Sequence, residues 1–234
     1  MPAPTLFCLE NSRAFRVAWL ANELGVDLNV RYYPRIEGKK AVPEMARDSG
    51  YTLGKSPCIQ DAGPKGEELS VVESGNCMQY LAERYKPGSP LFPSTDNFAA
   101  RTAVIGWIDF AETIMTHSLP IIYAQWFARP GDEGAVENFA DKASGNVHKD
   151  LALAEEALQK GQYLCGDAFT AADIAVAFSC EYVIVKKVGI KDGESDFPKV
   201  VAWLKRLEER EAYRKTYDET IKSGVKYDFN MLKL

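Results

Sequence analysis

Three short stretches put chemically capable residues where the chain changes structure. Asn11 and Ser12, in NSRAFR, stand between a strand-like run, TLFCL at residues 5–9, and a helix-forming run over residues 12–25. Glu73 and Ser74 stand between the strand-like ELSVVES and a helix carrying Met78, Leu81, Ala82 and Tyr85 on one face. Pro57, in GKSPCIQD, interrupts a strand where it has no N–H for the ladder. An edge, a bulge, a strand start or a cis peptide in a tight turn would each accommodate it. A hydroxyl at a helix start has two uses. It caps the free N–H groups there, or it joins them in holding an anion.

Elsewhere, reactive side chains are sparse. The five cysteines, Cys8, Cys58, Cys77, Cys165 and Cys180, contain no C-x-x-C pair, and an odd number argues against a disulfide framework and for a reducing cytosol. Cys8, inside a strand, reads as a small buried hydrophobe. His117 and His148 are too few and too far apart to form a metal site. His117, Tyr123 and Trp126 read as helix packing, with the lining of an apolar pocket as the alternative. Of 234 residues, 46% are hydrophobic and 26% charged, with a net charge of −5. That is the composition of a globular chain with no basic excess for nucleic acid or anionic lipid. Apolar runs are interrupted well before the ~20 residues a membrane span needs, and Met1 to Arg13 is too short and polar for a signal peptide.

The elements that must position these residues change character near residue 90. Before it the pattern is strand, helix, strand (27–33), a long link from Pro34 to Gly54, then a hairpin (57–61 and 68–74) turned by Gly63, Pro64 and Gly66, then a helix. Gly25 stops the first helix. These elements predict one small mixed sheet. KPGSPLFPSTDN (86–97) reads as a linker. Helices are predicted over 98–127 with a kink at Pro120, over 135–161, over 170–189 as a buried central helix, and over 197–211 starting at Pro198. Thr170 and Asp173 form a capping box with Phe169 as a hydrophobic staple. The expected division is 1–86, a linker 87–97, an all-helical domain 98–215 and a tail 216–234.

NSRAFR after the first strand, LGKSP before the hairpin, Glu73-Ser74 at the third helix and YLCGDAFTAADIAVA at 163–177 occur in an order and spacing that resembles the soluble glutathione transferase family, closer to its theta, phi and related fungal or bacterial members. The resemblance covers about residues 5–210. It implies an α/β plus all-α fold, an N-terminal thioredoxin-like domain with a C-terminal helical bundle. It implies a cis peptide at Pro57, with Ser56 pairing its backbone to the cysteinyl part of glutathione. Glu73 would take the γ-glutamyl ammonium and Ser74 its carboxylate. Lys55 would meet the glycine carboxylate, with Lys39 and Lys40 as weaker candidates. Ser12 stands where theta-like members carry a catalytic serine. A hydrogen bond to a charged acceptor, ~1.5–3 kcal/mol, would lower the thiol pKa by ~1–2 units. The stretch LENS departs from the Pro-Gly-Ser type, which leaves Asn11 as an alternative donor to the sulfur and simple helix capping as a further reading. The implied protein is a cytoplasmic homodimer that acts on glutathione and a small, mostly apolar electrophile without metal or organic cofactor. Alternatives are a non-catalytic glutathione-binding module and a glutathione-dependent peroxidase or thiol reductase.

Overall fold

The computed structural model describes residues 3–231, and these divide into two compact units, 3–98 with 209–228, and 99–208 with 229–231. In the first, β1 (Thr5–Leu9) is apolar on both sides and takes a central place in a four-stranded sheet of order β2-β1-β5-β6. It pairs parallel with β2 (Asn29–Tyr33) and antiparallel with β5 (Cys58–Ala62), which forms a hairpin with β6 (Glu68–Val72). The parallel pair requires a crossover, supplied by α1 (Ala14–Leu24). Gly25, at φ 63°, closes α1 by donating its N–H to the carbonyls of Ala21 and Asn22. α3 (Ser74–Tyr85) follows β6 directly.

Two features of the long link were not predicted. A small hairpin with a three-residue turn, Glu37 to Lys39, joins β3 (Arg35–Ile36) to β4 (Lys40–Ala41), and a short α2 (Pro43–Ser49) follows, with Pro43 at its first turn. Elements this short carry too little periodicity to register.

The second unit is helical. α4 (Phe98–Phe127) runs as one helix through Pro120. It is followed by α5 (Glu133–Lys160), α6 (Ala171–Val185), α7 (Gly193–Asp196) and α8 (Pro198–Glu208). Every residue of α6 from Ala171 to Ile184 is buried, as its largely apolar sequence demands, the polar Asp173, Ser179 and Glu181 included. The capping box is present. Asp173 Oδ2 accepts from the Thr170 N–H at 2.9 Å, and its Oδ1 from the Leu164 N–H at 3.0 Å and the Trp203 indole at 3.2 Å.

The C-terminal segment differs from the expected division. α9 (Glu211–Lys222) belongs with the first unit, not with the helical domain or a loose tail. Its Tyr213 is fully buried and meets the rings of Phe15 and Trp19 edge-on at 5.2 and 4.9 Å. Glu23 of α1 receives both Nε and Nη2 of Arg210, at 2.6 and 2.8 Å. α1 is therefore covered on a second side, which accounts for the burial of Ala14 to Ala21 without a break.

Candidate functional site

The register of the sheet gathers the predicted residues at one end. Phe7 pairs with Cys58, and Cys58 with Val72. The turn after β1, the residues before β5 and the residues after β6 therefore emerge together. These are Asn11 and Ser12, Ser56 and Pro57, and Glu73 and Ser74.

The Ser56–Pro57 peptide is cis, and the ladder begins only at Cys58. The Ser56 hydroxyl fills the place of the missing rung. It accepts from the Leu9 N–H at 3.0 Å and donates to the Phe7 carbonyl at 3.1 Å. Its oxygen also lies 3.1 Å from Ser12 Oγ. A hydroxyl carries one proton, and that of Ser56 is given to Phe7, so the Ser12 hydroxyl is the donor of this third bond. Ser12 Oγ in turn accepts from the Ala14 N–H at 3.3 Å. The capping reading and the donor reading of Ser12 are thus compatible. Its hydroxyl faces the start of α1 with its lone pair and a neutral, replaceable acceptor with its proton. Ser12 is 8% exposed.

α1 has no acidic residue in its first turn and Arg13 stands just before it, so its positive end is uncompensated by its own sequence, whereas α3 carries Glu73 at its N-cap position. Ser74 is the first residue of α3 and buried. Glu73 is exposed and holds φ 65°, ψ 127°, a backbone region sparsely used by residues other than glycine. Its carbonyl accepts the Cys77 N–H at 2.8 Å, the first bond of the helix. Such a conformation costs of order 1–3 kcal/mol and concentrates at functional sites.

The cations are arranged less directly. Lys55 is exposed beside Ser56, and Lys40 is exposed on β4. The loop carrying Lys39 and Lys40 is stitched to the turn after β1 by Arg35. Its Nε donates to the Glu10 carbonyl at 2.8 Å, its N–H to Glu10 Oε2 at 2.9 Å, and its Nη1 to the Lys39 carbonyl at 2.7 Å.

Asn11 is placed differently from a sulfur ligand. It sits at φ 49°, and its amide forms a reciprocal pair with Asp228, Nδ2 donating to Oδ2 at 3.0 Å and Oδ1 accepting from the Asp228 N–H at 2.9 Å. This partner was not read from the sequence, and a separation of 217 residues leaves no local signal for it.

The chain's own thiols are not poised as nucleophiles. Burial pushes Cys8 up to about 12 and Cys165 to about 11, and raises Cys58, Cys77 and Cys180 as well. Away from this site, His117 Nδ1 lies 2.6 Å from Asp150 Oδ2 in the helical unit, tying α4 to α5. No group of three or more metal-ligating side chains occurs among the described residues.

Residues 113–211 match the family model described as Glutathione S-transferase, C-terminal domain. Glutathione S-transferase 3 of Schizosaccharomyces pombe is 27% identical over 182 residues, covering 73% of this chain and 70% of its own. A glutathione S-transferase structure from Actinobacillus pleuropneumoniae superposes with a TM-score of 0.78 at 24% identity, covering 97% of this chain and 96% of that one. A glutathione transferase from Burkholderia graminis, solved with two glutathione molecules bound per subunit, gives 0.75 at 24% identity over 92% and 87%. These two structures establish a shared fold.

Proposed function

We propose that this chain, a member of the soluble glutathione transferase family, binds glutathione along the end of its sheet and activates the thiol through the Ser12 hydroxyl. The observation that carries the reading is the Ser12–Ser56 contact of 3.1 Å beside the cis proline. Ser12 holds a proton in a bond to a neutral oxygen, and a thiolate would be the stronger acceptor. Glutathione lying antiparallel to the segment before Pro57 would place its cysteinyl backbone against Ser56 and its sulfur beside Ser12. Glu73 would face the γ-glutamyl ammonium, and Ser74 with the start of α3 its carboxylate. Lys55 and Lys40 are the cations offered to the glycine carboxylate.

The thiol proton leaves to solvent, and the thiolate, held by Ser12 and the uncompensated start of α1, attacks an electrophilic carbon of a small, mostly apolar co-substrate. With a chlorinated nitroaromatic the S–C bond forms as the C–Cl bond breaks and chloride departs. Proximity and stabilisation of the anion supply the rate. The five raised cysteines weigh against a reductase that works through a thiol of its own. The same reading makes the protein a cytoplasmic homodimer acting in detoxification, with no metal or organic cofactor.

The test is the rate of glutathione conjugation to that nitroaromatic between pH 5.5 and 8, for wild type and Ser12→Ala. The apparent pKa of the wild-type rate is expected ~1–2 units below the ~8.5 of a free thiol, and to return toward it in the variant. Since the rate below that pKa follows the thiolate fraction, the deficit of Ser12→Ala is largest at low pH and closes as pH rises. Glutathione binding without conjugation in the wild type would replace this reading with a binding module or a peroxidase.

A further inference from the structure

The turn that carries Ser12 is held from outside by the far end of the chain. Asn11, immediately before it, makes three bonds to a three-residue stretch beyond α9. Two are the reciprocal amide pair with Asp228, at 3.0 and 2.9 Å, and the third runs from the Asn11 N–H to the Lys226 carbonyl at 3.3 Å. The residue between these two, Tyr227, is buried and lies flat on Phe15, with ring centroids 3.8 Å apart and planes 16° from parallel. Phe15 N–H donates to the Ser12 carbonyl at 3.1 Å. Residues 226–228 therefore grip the turn on both flanks of Ser12, by polar bonds at Asn11 and by ring stacking at Phe15. All of these residues lie in one compact unit.

We propose that Asn11 and Asp228 form a clasp that positions the Ser12 hydroxyl, which makes Asn11 a positioning residue and the segment after α9 a part of the thiol-activating apparatus. This rests on the reading of Ser12 given above. A left-handed residue just before Ser12 sets the direction in which its side chain leaves the turn. An asparagine tolerates that conformation, and here its amide also fixes it. Breaking the clasp frees the turn to rotate, so the hydroxyl spends less time aimed at the sulfur. Glu73 and Ser74, which would meet the γ-glutamyl end of glutathione, lie beyond β6, and none of the clasp's bonds involves them. The effect therefore falls on thiol ionisation and kcat, with little change in affinity.

Three variants of the full chain test this: Asn11→Ala, Asp228→Ala and Asp228→Asn, the last retaining an oxygen acceptor and the backbone N–H. Hydrogen exchange of residues 9–15 is measured without ligand, and the ultraviolet absorbance of bound glutathione thiolate is titrated against pH alongside kcat and KM. In Asn11→Ala and Asp228→Ala we expect faster exchange confined to residues 9–15, a bound-thiol pKa moved toward that of free glutathione, and kcat lowered about fivefold, with glutathione affinity within about threefold of wild type. The double variant is expected to match Asn11→Ala, which already removes both amide bonds, with Asp228→Ala, which keeps the backbone N–H bond to Asn11 Oδ1, no worse than either, and Asp228→Asn to behave as wild type. Unchanged exchange over residues 9–15 in Asp228→Ala overturns the clasp, whatever glutathione does. Faster exchange with an unchanged thiol pKa overturns its role in positioning Ser12. If wild type holds no thiolate, the Ser12 reading fails, and the exchange result still decides the clasp.

Discussion

In the proposed reading, Glu73 is a single residue that gives up stability for a binding role. Its φ of 65° would be relieved by glycine, which has no Cβ to clash, yet glycine has no carboxylate for an ammonium group. Glu73→Gly is accordingly expected to raise folding stability by about 1 kcal/mol and to weaken glutathione binding about tenfold. Thermal unfolding and calorimetric titration with glutathione check the two halves separately. A variant that binds as well as wild type would remove Glu73 from the binding map. A variant that is less stable would mean that the conformation is imposed without strain. Ser12 belongs to the other kind of site residue, whose geometry costs nothing because capping and donation use different parts of one hydroxyl.

At the level of elements, the strongest constraint is Asp173 at the start of α6. Its carboxylate collects the N–H groups of Leu164 and Thr170, the Thr170 hydroxyl and the Trp203 indole, joining the preceding turn, α6 and α8. Asp173→Ala leaves these donors buried and unmatched, so a loss of about 3–5 kcal/mol is expected, seen as a fall in Tm of roughly 10 °C. Asp173→Asn keeps an acceptor and should lose less. Burial raises the Asp173 pKa against the pull of its donors. The folded chain thus holds this proton at a pH where the unfolded chain, near 3.8, has released it. Stability from this group declines as pH rises through that window, and the deficit of Asp173→Asn should narrow in step. A pH-independent deficit would show that the carboxyl ionises alike in both states. This capping box was legible in the sequence because its partners are three residues apart, and so were the hairpin and the glycine stop of α1, each a matter of local chemistry. The β3–β4 hairpin and α2 were not, since two strands of two residues and a helix of seven carry no period to count. Of the site, the residue types at the ends of β1, β5 and β6 were readable, while the use of the Ser56 hydroxyl as a substitute rung and the occupation of Asn11 by Asp228 depend on pairings across tens to hundreds of residues.

Taken as a whole molecule, the chain is not folded in sequence order. It leaves the first unit after Phe98 and returns to it at Glu209, so α1 is completed by a helix encoded almost two hundred residues later. The composition change near residue 90 suggested a single boundary, because a linker is visible in sequence and a returning helix is not. Tyr213 tests the consequence. It is fully buried and wedged edge-on between Phe15 and Trp19, a geometry worth more than its area alone. Tyr213→Ala should cost about 3–5 kcal/mol, whereas truncating the exposed Tyr123 on α4 should cost little. The location of the damage matters more than its size. If α9 is a structural part of the first unit, hydrogen exchange in Tyr213→Ala rises over α1 and β1, elements near the sequence start, and stays slow in α6, which is closer in sequence. If instead α6 loosens and α1 does not, α9 belongs to the helical unit.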